Sequence, residues 1–169
     1  MRRSEVAVET NRRPLISAGL MLGIGMGGFV DGILFHQLLQ THSLLSARLP
    51  KDSVPNIEVN MFWDGLFHAF TWVVTAVGLA LLFRAGRRVE VPWSGRTLFG
   101  SMLAGWGLFN LVEGVIDHHI LQIHHVVERA GLSVWDWAFL ASGVVFILAG
   151  WAIVKGARDD RTAGDVTAP

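Results

Sequence analysis

Four apolar stretches, each long enough to cross a bilayer, dominate this chain and leave room for few architectures. They run over about 15–39, 61–83, 97–123 and 134–154. A helix rises ~1.5 Å per residue and the hydrocarbon layer is ~30 Å thick, so about 20 apolar residues suffice. Composition agrees, with 51% of the 169 residues hydrophobic, only 17% charged and no cysteine. Mean hydropathy is +0.44. The expected fold is therefore an all-α integral membrane four-helix bundle over 15–154, between polar, disordered tails at 1–14 and 155–169. The apolar run after the basic N-terminus is longer than a signal-peptide core and has no small-residue cleavage site, so no signal peptide is expected. Without cysteine, disulfides and thiolate metal sites are excluded.

The formal charge of zero hides a strong asymmetry. Lysines and arginines number four in the N-terminal tail, four over 84–96 and three in the C-terminal tail; the opposite connections hold only Arg48, Lys51 and Arg129. Cytoplasmic segments carry such an excess, which places both termini in the cytoplasm. The basic residues sort by membrane side, so the expected partner is the lipid bilayer and not nucleic acid. The spacings Gly19-Gly23, Gly23-Gly27 and Gly28-Gly32 are small-residue faces that let another helix approach closely. A duplicated hairpin fits a monomer, and these faces of span one would equally serve a homodimer.

The chemistry-bearing residues are concentrated in two related motifs. Residues 113–125 read EGVIDHHILQIHH and residues 31–42 read DGILFHQLLQTH. With Asp31 aligned on Glu113, Gly32 falls on Gly114, His36 on His118, Leu39 on Leu121, Gln40 on Gln122 and His42 on His124. Spans two and four open alike, on Trp63-Asp64 and Trp135-Asp136. The pattern predicts a duplicated two-helix hairpin whose copies share orientation, related by an axis along the membrane normal. All seven histidines then lie toward the outward side.

Helical winding of about 100° per residue puts Glu113, Asp117 and His124 on one face and His118, Gln122 and His125 on another. Asp31 shares a face with His42, and His36 with Gln40. Asp64 and His68 form an i, i+4 pair, the spacing at which one helix offers two ligands to one metal. Neutral imidazole suits copper, zinc and iron, and carboxylates add oxygen ligands or support. The candidate metal site comprises His36, His68 and His118, completed by His119 or His124, with Asp31 and Glu113 deeper as bridging or supporting carboxylates. Asp117, Asp64, His42 and His125 extend the set. Glu113 and His118 lie about 140° apart on an α-helix, so the ligands must converge from several helices.

Plainer roles are open to some of these residues. A membrane histidine such as His42 or His125 can simply bond between helices. Asp64 and Asp136 read as helix N-caps, and Trp63, Trp93, Trp135, Trp137 and Trp151 as an interfacial belt. Gln40 and Gln122 read as hydrogen-bonding glue. Asp31 and Glu113 resist such readings. Near the bilayer midplane an ionised carboxylate costs ~3 kcal/mol on insertion scales, so both need a compensating role.

The patterns DGxxFHxxLQxH in span one and EGxxDHHxLQxHH in span three resemble a bacterial family of small four-span membrane proteins of unknown function, domain-of-unknown-function family 2243. The resemblance covers all four spans. It implies the bundle fold and a multi-pass location in the bacterial inner membrane, and no activity. Desaturase-type histidine boxes do not match, because neither HxxxH nor HxxHH occurs. Three functional readings follow from the residues. One is an outward-facing His/carboxylate site for a transition metal ion (copper, iron or zinc). The second is a redox protein holding haem b between histidines such as His36 and His118, or a dinuclear centre acting on quinol or lipid. The third is a proton-coupled small transporter with Asp31 and Glu113 as the relay.

Overall fold

The computed structural model describes residues 10–157, and among these there is no strand. Helix α1 spans Arg13–Val30 and continues unbroken into a π-helical segment, Asp31–Leu38. Helix α2 spans Val54–Gly86. Helix α3 spans Gly95–Glu113 and continues into a second π-helical segment, Gly114–Ile120. A single 3-10 turn, Glu128–Ala130, precedes α4, Val134–Gly156. The four helical runs of 26, 33, 26 and 23 residues are long and apolar enough to cross a membrane.

The helix ends differ from the sequence expectation for local reasons. Helix α2 begins at Val54, inside the stretch read as loop, because Pro55 occupies its first turn. There the fixed φ of proline suits the helix and its missing N–H removes no bond. Pro14 does the same for α1, so that helix begins within the expected tail. Span three stops at Ile120, three residues early, and α4 runs on to Gly156. The expected tails fall largely on 1–9 and 158–169, outside the described residues.

Glycine sets the packing. A Cβ at Gly23 would collide with the Met102 carbonyl, and one at Gly105 with the Leu20 carbonyl, so α1 and α3 meet backbone to backbone. Gly25 and Gly28 face Thr75 and Thr71 of α2, while Gly107 faces Gly143 of α4. Helices α1 and α3 thus form the centre, flanked by α2 and α4. The most apolar windows of the central pair are 50% buried, against 17% for the flanking pair. The glycines of span one are therefore packed against α2 and α3 of the same chain. Phe62, Phe70, Trp72 and Phe83 of α2 and Val145 and Leu148 of α4 stay exposed, the surface a lipid solvent requires.

Both ends of the described chain lie at the same end of the bundle. The Asn11 N–H donates to the Glu90 carbonyl over 2.8 Å, and Gly156 sits beside the Arg96 guanidinium. The seven histidines gather at the opposite end, where the 39–53 and 121–133 connections cross.

Candidate functional site

The two π-helical segments create the site. Leu39 N–H donates to Leu34 C=O over 2.8 Å, and Leu121 N–H donates to Ile116 C=O over 2.7 Å, each reaching back five residues instead of four. In such winding, residues five apart stack along the axis. Asp31 is thereby set over His36, with Oδ2 3.0 Å from Nε2. Glu113 is set over His118, and with His124 these three offer ligand atoms within 4.8 Å of one another. This corrects the expectation that Glu113 and His118 point about 140° apart and could not chelate one ion by themselves, which assumed α-helical winding throughout.

Each π segment ends on a glutamine in the left-handed region, Gln40 at φ 51° and Gln122 at φ 49°. For a non-glycine residue this costs about 1–2 kcal/mol. The chain reverses there, and Thr41 and Ile123 close the ends by donating to the Phe35 and Asp117 carbonyls, both over 3.0 Å. The glutamines are thus conformational stops and not glue between helices. His42 and His124 lie beyond the stops, so they are carried back over the bundle end instead of continuing on a helical face. The sequence-based grouping of Asp31 with His42, and of Glu113 with His124, survives through this reversal.

Four imidazoles meet at the centre. His42 and His124 stack with ring centroids 4.7 Å apart and planes 7° apart. His36 meets His42 edge-on at 4.6 Å, and His118 meets His124 edge-on at 4.8 Å. Three of the four outward Nδ1 atoms are hydrogen-bonded, and that of His118 lies close to a carboxylate without a bond. His36 Nδ1 lies 3.0 Å from Asp64 Oδ1 and His118 Nδ1 lies 3.1 Å from Asp136 Oδ1. His42 Nδ1 donates to the Val126 carbonyl and His124 Nδ1 to the Leu44 carbonyl, each over 3.1 Å. The two ties cross between halves. Leu44 also donates its N–H to Asp64 over 2.8 Å, and Val126 donates its N–H to Asp136 over 3.1 Å.

The inward atoms are a different population. The Nε2 atoms of His36, His42, His118 and His124 are buried without a hydrogen-bond partner, as are both carboxylate oxygens of Glu113 and Oδ2 of Asp31. They are nevertheless close: His42 Nε2 is 3.8 Å from Asp31, and His124 Nε2 is 3.4 Å from Glu113. Proximity without hydrogen-bond alignment is what donor atoms converging on a common point would show. His36, His42 and His124 likewise place ligand atoms within 4.8 Å of one another. Burial, and then the neighbouring His42 and His118, push the pKa of His124 well below the ordinary imidazole range. Among the described residues, no lysine or arginine pairs with Asp31, Asp64, Glu113 or Asp136; their charged partners are all histidines.

The remaining candidates divide. His68 turns back on its own helix, donating from Nδ1 to the Asp64 carbonyl over 2.7 Å, and is not in the converging groups. The Asp64 carboxylate serves His36 instead, so the single-helix Asp64–His68 pair does not form and Asp64 is not a cap. His119 donates to the Gly114 carbonyl over 2.7 Å and packs against Trp137. His125 stands 3.6 Å from Asp136, outside the four-ring cluster. Asp136 combines two tasks. It completes a capping box with Ser133 at the start of α4, and it holds His118. The sequence reading assigned it only a capping role; the shared Trp-Asp opening of spans two and four was the available signal for the second.

Two cavities reach the cluster. A polar one of about 680 Å³ is lined by His36, Asp64, Gln40, Thr41, Glu128 and Arg129 among others. An apolar one of about 340 Å³ between α1, α2 and α3 includes Glu113 and Asp117 in its wall.

Apolar helices of spanning length around a buried, acid-supported imidazole cluster define a four-span membrane protein. The chain belongs to the predicted membrane protein family DUF2243, whose model matches residues 18–157. No curated protein and no solved structure matches it.

Proposed function

We propose that this protein is a multi-pass bacterial inner-membrane protein that binds a transition metal ion, or a close pair of ions, at the four-histidine cluster. The observation that carries the reading is the division of each imidazole's two nitrogens. Nδ1 of His36, His42 and His124 bonds to a carboxylate or carbonyl and Nδ1 of His118 lies 3.1 Å from Asp136, while every Nε2 is buried without a hydrogen-bond partner beside Asp31 and Glu113. Metal-bound histidine is built this way, because the outer bond selects the tautomer and aims the free lone pair. A cation would also balance two acids that no lysine or arginine neutralises. His36, His42, His118 and His124 would supply nitrogen, and Asp31 and Glu113 oxygen, a donor set suited to copper, iron or zinc.

The ring centroids of the cluster lie only 4.6–6.4 Å apart, which favours compact ions over a macrocycle between two histidines. We read the matched contacts as the product of a duplicated hairpin, and the eleven-to-three asymmetry of basic residues as placing both termini in the cytoplasm. The cluster then faces the outer side, and the polar cavity beside His36 is its route for ions.

Metal analysis and an absorption spectrum of the purified protein test the proposal. Stoichiometric copper, iron or zinc without a Soret band is expected. A Soret band would move the site to haem, and neither metal nor haem after reconstitution would favour the proton relay. A reporter active only in the cytoplasm should work at the C-terminus and fail within 43–60; the reverse pattern would overturn the topology.

A further inference from the structure

The apolar cavity has a composition that metal binding does not explain. Phe67, Phe70 and Phe109 wall it, with Leu108 and Val112 of α3 opposite. Phe70, Leu108 and Val112 are themselves exposed on the lipid-facing surface, so the cavity opens sideways into the bilayer. At its inner side lies Glu113, only 5% exposed, with neither carboxylate oxygen hydrogen-bonded. A buried carboxylate without donors is costly, and such groups ordinarily have a partner. An acyl chain entering the cavity would leave that cost in place. A metal ion would take one of the two oxygens, and a molecule bringing an O–H would satisfy the other. The volume of about 340 Å³ admits one ring and the first part of a tail, near the lower bound of ~300 Å³ for small-molecule pockets.

We propose that this cavity binds a membrane-dissolved phenol or hydroquinone, its ring among the three phenylalanines and its hydroxyl donating to Glu113. Asp117, half-buried in the same wall, stands ready for a second donor. The proposal deepens the metal reading, since Glu113 is a member of the Glu113, His118, His124 group and the bound hydroxyl would lie beside the centre. Apolar ring contact supplies affinity, and the hydroxyl supplies orientation.

The test uses the full chain in lipid nanodiscs with an alkyl hydroquinone, compared with its dimethyl ether, in metal-loaded and metal-stripped samples. The hydroquinone should bind saturably and about tenfold more tightly than the ether, the size expected of one hydrogen bond. Val112→Trp should fill the cavity and abolish binding while metal content stays at the wild-type level. Leu108→Trp gives the same readout if the first variant fails to fold. Equal affinity for the ether, or undiminished binding in the filled variant, would overturn the proposal. Binding that persists in a protein unable to hold metal would retain this cavity and reject the metal reading alone.

Discussion

The α1–α2 half and the α3–α4 half of this protein agree where they touch the cluster and disagree where the cluster meets its surroundings. His36 with Asp64 and His118 with Asp136 are separated by 3.0 and 3.1 Å. The ring contacts of His36 with Phe67 and His118 with Phe139 are 5.6 and 5.2 Å. The π ladders, the left-handed glutamines and the crossed backbone ties all occur twice. Outside this shell the pairing fails. Position 35 is Phe where its counterpart is Asp117, position 37 is Gln where its counterpart is His119, and His68 corresponds to Leu140. The polar cavity reaches the His36 side and the apolar one the Glu113 side. Equivalent side chains thus sit beside non-equivalent cavities, and the proposed centre would be open to a polar path on one side and an apolar one on the other.

The largest expected effect tests the symmetric part. His36→Ala and His118→Ala should each remove nearly all bound metal, measured as ions per chain, because each deletes a nitrogen donor from a shared centre. An intact centre in either variant would break the equivalence of the halves. Asp64→Asn and Asp136→Asn should follow, each weakening metal binding by about 10–100-fold in competition with a chelator, as loss of an outer tie does. They should differ in one respect: Asp136→Asn also removes a capping-box acid and should cost about 1 kcal/mol of stability that Asp64→Asn does not. Gly23→Ala and Gly105→Ala should each destabilise the bundle by about 1–3 kcal/mol through overpacking of the α1–α3 contact, read from detergent unfolding curves. The smallest effect concerns the helix stops. Gln40→Gly and Gln122→Gly should each stabilise the protein by up to about 1 kcal/mol, by relieving a left-handed conformation. His68→Leu, which copies the other half, should leave metal content unchanged.

The comparison also shows which features were legible in the sequence. Apolar runs of spanning length, visible without any contact, predict the all-helical four-span fold. The acid-Gly-His-Gln-His register identifies the residues that face one another, including Asp31, His36, Glu113, His118 and the returning His42 and His124. What escaped was geometry that depends on a single extra residue per turn. A π-helix has no distinctive composition in EGVIDHHI, so α-helical angles separated Glu113 from His118 when the fold stacks them. His68 lies outside the converging groups for the converse reason. Its i, i+4 spacing to Asp64 is real, but the Asp64 carboxylate is drawn to His36 on the neighbouring helix, a contact between distant positions. Supports supplied by backbone carbonyls, those of Leu44 and Val126, carry no sequence signature at all.

X-ray absorption at the metal edge of the loaded, purified protein tests the shared centre most directly. The expected spectrum shows nitrogen and oxygen neighbours only, at about 2.0–2.2 Å if the metal is zinc, with outer-shell scattering from at least three imidazoles. That number cannot come from the His36 and His42 of one half alone. A spectrum with one imidazole or none, or a protein that retains no metal to measure, would contradict it.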